Sequence, residues 1–175
     1  MTQTLLVIDV QHGVIDGAHG RDQVVGNIGE LVTAARDAQV PVVWVQHNEP
    51  AMTIGSDDWQ LVDELDPADE PRVDKQYRSS FEDTSLPGIL EDLATRELIV
   101  CGAETNYCVR HTIHSALERG FDVTLVADAH TTSDENAAQV IAEQNDNFGN
   151  YRLPGRTCHT AQTADVISDW HTSAS

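Results

Sequence analysis

Lysine is almost absent. Of the ten basic residues in this 175-residue chain nine are arginine, and the single lysine is Lys75. Basic residues as a whole are scarce: 29 Asp and Glu set the formal net charge at −19. So acidic a chain does not neutralise a polyanion, which excludes nucleic acid as a partner, and the same repulsion disfavours anionic membrane surfaces. Long hydrophobic runs are missing, and no stretch approaches the ~20 apolar residues of a membrane span. Met1 to Thr4 carries no basic leader, and the apolar run that follows is broken by Asp9. That run reads as a strand and not as a signal peptide, so the expected location is cytoplasmic. Cysteine is limited to Cys101, Cys108 and Cys158. Three cannot all pair, and they form no close metal-binding cluster, which points to reduced thiols. The acidity itself reads as a solubility feature.

What remains is ordinary for a globular domain: 40% hydrophobic residues and a length that suits one core, so residues 1–175 are read as a single domain. Apolar periodicity alternates between strand and helix from end to end. Strands are expected at Thr4–Val10, Val42–Gln46, Glu97–Cys101, Asp122–Asp128 and, briefly, near Arg156–His159. Helices are expected at about Asp22–Gln39, Leu86–Leu93, Thr105–Arg119 with Gly120 as its stop, Ser133–Asn147 and Thr163–Trp170. Residues 48–81, rich in Asp, Pro, Glu and Ser, read as a long and partly irregular excursion. The alternation implies an α/β fold: three αβα layers around a doubly wound, mainly parallel, Rossmann-like sheet.

Ligands of such sheets bind beyond the carboxyl ends of the strands. Reactive side chains at those ends are Asp9, His47, the segment Gly102–Cys108, and Asp128. Cys108 falls in the first turn of a helix, where unpaired amides and the dipole favour an anion and would lower the thiol pKa. A small buried cysteine is the competing reading, and it suits Cys101 and Cys158. Asp9 interrupts an apolar strand, a poor place for a charge without a partner; it is a general acid or base, or a cap. Asp128 reads as loop and helix-start chemistry. Lys75, alone of its kind, is either a needed ammonium or a chance surface residue.

Three segments settle these choices by resemblance. Leu6-Val7-Ile8-Asp9-Val10-Gln11, then Val73-Asp74-Lys75-Gln76-Tyr77-Arg78-Ser79-Ser80-Phe81, then Cys101-Gly102-Ala103-Glu104-Thr105-Asn106-Tyr107-Cys108-Val109 resemble the isochorismatase-like cysteine hydrolases, in the expected order. Leu117 to Ala129 resembles that family's next strand, and the likeness runs from about Leu5 to Ala164. The resemblance implies a triad of Asp9 as base and proton shuttle, Lys75 as the cation beside the thiolate, and Cys108 as nucleophile. It also implies a cis peptide at Ala103–Glu104 and an oxyanion hole from the backbone amides of Glu104 and Cys108. The implied reaction is hydrolysis of an amide or ureide-type C–N bond of a small molecule through a thioester.

Vinyl-ether hydrolysis of the isochorismatase type, and a catalytically idle member that binds a metabolite or a partner, are the alternatives. Nicotinamidases of this superfamily hold a metal soon after the second strand. Here that region reads Val45-Gln46-His47-Asn48-Glu49-Pro50, without Asp-x-His, so no metal and no cofactor are expected. His111 and His114 share a helix face but lack an obvious third ligand. Gln11, His47, Trp59, Tyr77, Phe81 and Tyr107 are the expected substrate-binding residues, with His12 on the same edge. On resemblance alone, a homo-oligomer is expected.

Overall fold

The computed structural model describes residues 2–173. Its sheet has seven strands, β1 (Gln3–Ile8), β2 (Val42–His47), β3 (Arg72–Lys75), β4 (Glu97–Ala103), β5 (Asp122–Thr131), β6 (Arg152–Leu153) and β7 (Arg156–Ala161). The order is β3-β2-β1-β4-β5-β7-β6, parallel throughout except for the terminal β6–β7 pair. Helices are α1 (His12–Ile15), α2 (Arg21–Asp37), α3 (Leu86–Asp92), α4 (Arg110–Glu118), α5 (Ala137–Gly149) and α6 (Thr163–Ser173), with a π-helical turn over Thr105–Val109.

Strand alternation divides the core in two. Leu5 and Val7, Val42 and Trp44, and Ile99, Cys101 and Ala103 face α2 and α6. Leu6 and Ile8, Val43 and Val45, and Leu98 and Val100 face α3, α4 and α5. Both faces of β1, β2 and β4 are therefore dry, which is why these strands read as unbroken apolar runs. Trp44, assigned to the core from its position inside a strand, is fully buried, and its indole N–H donates to Glu70 Oε2 at 2.6 Å. Among the described residues no helix is long and apolar enough to cross a membrane.

The expected strands and helices are all present, with shifted ends. The helix expected from Ser133 begins at Ala137, because Ser133 and Asp134 bond elsewhere. Ser133 N–H donates to Glu104 Oε1, and Asp134 Oδ2 accepts from Asn106 Nδ2. The excursion contains a strand that composition hides: β3 is four residues long and mostly polar, but buries Val73 and Lys75 on one side.

Beyond β1 the order of strands reverses: β2 and β3 lie to one side, β4, β5 and β7 to the other. The crevice between the ends of β1 and β4 is thus the switch point. The two strands touch there through Gly102, whose φ is +116° and whose register partner is Ile8. A Cβ at Gly102 would lie 2.0 Å from the Ile8 carbonyl oxygen. Gly102→Ala is expected to lose about 2–5 kcal/mol of stability through overlap and an unfavourable φ together, measured by urea denaturation. An unchanged midpoint would contradict this packing.

Candidate active site

Each side chain of interest is delivered by the carboxyl end of a strand. The chain leaves β1 at Asp9 with a left-handed φ of 52°. His47 ends β2 and is the register partner of Lys75, which ends β3. β4 ends at Ala103, the Ala103–Glu104 peptide is cis, and the π-helical turn that follows carries Cys108.

The three converge on one ammonium. Lys75 Nζ lies 2.8 Å from Asp9 Oδ2, 3.2 Å from Cys108 Sγ and 3.2 Å from His47 Nδ1. An ammonium has three N–H donors and no acceptor, so all three are occupied. His47 Nδ1 must therefore accept, which places the imidazole hydrogen on Nε2, 3.9 Å from Glu49 Oε2. Asp9 and Lys75 are each only 1% exposed, and Asp9 Oδ1 is buried without a hydrogen-bond partner among the described residues.

The electrostatics follow from burial and three neighbouring charges. Burial draws the Lys75 ammonium down, but Asp9 and Cys108 outweigh it and hold the group above its ordinary value. Burial and then the charge of Lys75 push His47 down, against the opposing pull of Asp9 and Glu49, so its imidazole is neutral at neutral pH. Burial, reinforced by Asp9 and opposed by Lys75, pushes the Cys108 thiol up to about 12. This corrects the lowered value expected from a helix start. The fold half-buries the sulfur and sets a carboxylate beside it, and these effects exceed the pull of Lys75. The resting group at neutral pH is a thiol.

A cavity of about 540 Å³ opens over the cluster, with Asp9, His47, Tyr107 and Cys108 among its lining residues. Its walls also include Gly13, Met52, Glu49, Asp58, Arg78, Glu104 and Ser133. A Cβ on Gly13 would come within 2.9 Å of both Met52 Sδ and Asp58 Cβ, so glycine lets this wall close up. The Arg78 guanidinium sits 4.9 Å from the centre of the Tyr107 ring, a cation–π pair at the mouth. Of the expected substrate-binding residues, His47 and Tyr107 line this cavity.

Four others do not. Gln11 is fully buried, and its amide is taken up by backbone: Nε2 donates to the carbonyls of His47 and Trp59, and Oε1 accepts from His47 N–H. It braces β2 against the excursion. Trp59 contributes its carbonyl to that brace. Phe81 is in the core, its ring 5.9 Å from that of Phe121. Tyr77 is 48% exposed and outside the lining. A place on segments around the sheet's carboxyl edge did not reveal which way these side chains turn. His12 instead bonds Asp16, Nδ1 to Oδ2 at 2.8 Å. Arg78, Met52 and Asp58 were missed; the signal for all three was membership of the excursion, and for Arg78 also its place in the segment around Lys75.

Among the described residues no group of three or more His, Cys, Asp or Glu is placed to hold a metal ion. His111 Nδ1 bonds the Tyr107 carbonyl, and His114 packs against the rings of Phe148 and Tyr151. Asp128 holds the start of α6, its Oδ1 accepting from both Thr163 N–H and Thr163 Oγ1 at 2.8 Å. Cys101 and Cys158 are buried, and burial pushes both thiols up, Cys158 to about 11.

A family model described as the isochorismatase domain matches residues 3–151. A streptothricin hydrolase of Streptomyces noursei is 35% identical over 148 residues, covering 81% of this chain and 59% of that protein. This chain thus spans less than two thirds of that relative's length. A ureidoacrylate amidohydrolase of Methylobacterium radiotolerans is 28% identical over 173 residues, covering 73% of this chain and 66% of that protein. A cysteine hydrolase from Pseudomonas syringae pv. phaseolicola superposes with a TM-score of 0.89 over 99% of this chain and 94% of its own, at 23% identity, a likeness of fold.

Proposed function

The chain belongs to the isochorismatase family of hydrolases, and from that premise we propose that it cleaves a C–N bond of a small amide or ureide through a thioester on Cys108. The observation that carries the reading is the single ammonium of Lys75, held between Asp9 and Cys108 beneath a cavity of about 540 Å³, a size suited to a small-molecule ligand. The relative named an amidohydrolase supports the bond type.

In this reading the resting thiol is activated only as it reacts. Sγ adds to the substrate carbonyl while its proton passes to Asp9, whose buried Oδ1 has no hydrogen-bond partner among the described residues. Lys75 stabilises the developing sulfur charge from 3.2 Å. With its three N–H groups occupied, it acts through charge and not as a proton donor. The amides of Glu104 and Cys108 receive the oxyanion. Asp9 then returns the proton to the departing nitrogen, the C–N bond breaks, and the thioester remains. A water deprotonated by Asp9 adds to that thioester, and the sulfur leaves and regains its proton. His47 Nε2–H, fixed by the bond from Lys75 to Nδ1, supplies a donor to a substrate acceptor, and Tyr107 forms part of the wall.

The test is ammonia or amine release from a panel of small amides, ureides and lactams. Wild type is expected to release amine from at least one, and Cys108→Ala to reduce that rate by at least about 10³-fold. Release that survives the substitution would overturn the thioester and favour chemistry without a thiol nucleophile, such as vinyl-ether hydrolysis.

A further inference from the structure

The histidine at the end of β5 is buried and has no part in the chemistry above, yet it touches the turn that carries the nucleophile. His130 is 1% exposed and is the register partner of Gly102. It reaches that place because the pairing of β4 and β5 is irregular. From Leu125 to His130 is five residues on β5, against two from Val100 to Gly102 on β4. Three extra residues therefore bulge out, and the strand resumes beside the end of β4.

The directions of its hydrogen bonds can be worked out from one fixed group. The Ala127 carbonyl, inside the bulge, only accepts, and Asn145 Nδ2 on α5 donates to it at 3.0 Å. The other amide atom, Asn145 Oδ1, is then the one 2.9 Å from His130 Nε2, and it also only accepts. Nε2 must carry the hydrogen. Burial pushes His130 down, against the raising effects of Asn145 and Asp128, so the imidazole is neutral and Nδ1 is bare. Nδ1 lies 2.8 Å from Thr105 Oγ1, so the hydroxyl donates to it. Thr105 is itself fully buried and opens the turn, directly after the cis peptide and three residues before Cys108.

We propose that His130 is a positioning residue for this turn: by taking the Thr105 hydroxyl hydrogen it fixes Cys108 against Asp9 and Lys75. The bond from Thr105 is the one that reaches the turn; the bonds from Asn145 to His130 and to the backbone of the bulge fix which nitrogen of His130 is bare. The proposal rests on the reading of Cys108 as the reacting group, but its test does not need turnover.

The readout is alkylation of Cys108 by iodoacetamide at pH 8, followed by mass spectrometry of its peptide. In the native turn, burial and Asp9 keep the thiol protonated and alkylation slow; a loosened turn releases it towards an ordinary thiol. His130→Asn keeps an acceptor where Nδ1 lies and loses the bond to Asn145. His130→Gln keeps a donor where Nε2 lies and loses the bond to Thr105. Thr105→Val removes the hydroxyl and nearly preserves shape. The expected result is at least tenfold faster alkylation in His130→Gln and Thr105→Val, and a wild-type rate in His130→Asn. Wild-type rates in all three, with only the melting temperature lowered, would show a structural histidine and overturn the proposal. Equal acceleration by His130→Asn and His130→Gln would overturn it too, since the Thr105 bond would not be what matters. Failure of the thioester reading alone would leave this pattern intact.

Discussion

Lys75→Met is expected to cost about 3–5 kcal/mol of stability at neutral pH, because it leaves the Asp9 carboxylate buried and unpaired. For a chain of this size that is a fall of roughly 6–20 °C in melting temperature. Asp9 is 1% exposed, its Oδ2 is held by Lys75, and its Oδ1 has no hydrogen-bond partner among the described residues, so no second group takes over. Adding Asp9→Asn to Lys75→Met removes the charge and is expected to restore most of the loss, a coupling that a double-mutant cycle measures directly. Additive losses would mean that the two residues do not act as a pair. The pH dependence has a definite sign. The folded protein holds Lys75 above its ordinary value, so this contribution is whole below the ordinary lysine range and disappears only as pH rises through the raised value. Cys108 acts in the same sense, since its unfolded thiol ionises at a pH where the native one, raised to about 12, does not. Wild type should therefore lose stability on the alkaline side.

Asp9→Asn is expected to abolish hydrolysis while making the thiol more reactive. The substitution removes the group that receives the sulfur proton and returns it to the leaving nitrogen, a loss of about 10²–10⁴-fold. It also removes a negative charge that opposes ionisation of Cys108 and leaves Lys75 beside it. The thiol pKa should fall by about 1–3 units, and alkylation at pH 8 should accelerate at least tenfold. The two effects have opposite signs at one residue, which a general disturbance of the site would not produce. Slower alkylation in Asp9→Asn would show instead that Asp9 promotes the thiolate at rest.

Much of the fold and the centre of the site could be read from the chain. β1, β2 and β4 announce themselves because both faces are covered, so period and composition agree. Asp9 stands out because it interrupts such a strand, and Lys75 because it has no other lysine to hide among. Other features depend on tertiary neighbours. β3 is short and alternates exposed and buried residues in a polar segment, so only its pairing with β2 makes it a strand. Phe81 lies six residues after Lys75 yet packs against Phe121, and Gln11 lies two after Asp9 yet bonds backbone. The thiol of Cys108 was misjudged because a helix start is local and visible, whereas the carboxylate beside it comes from another strand. His130 was invisible for a similar reason: a bulge of β5, not its spacing, sets it behind the turn.

The most direct test of a thioester on Cys108 is to look for it. An amide that wild type turns over should be mixed with the enzyme, the reaction stopped in acid during the steady state, and the peptides weighed. The account predicts that fragmentation of the peptides places the mass of the substrate's acyl group on Cys108, and on neither Cys101 nor Cys158. Steady turnover with Cys108 unmodified at every quench time, together with activity in Cys108→Ala, would contradict it.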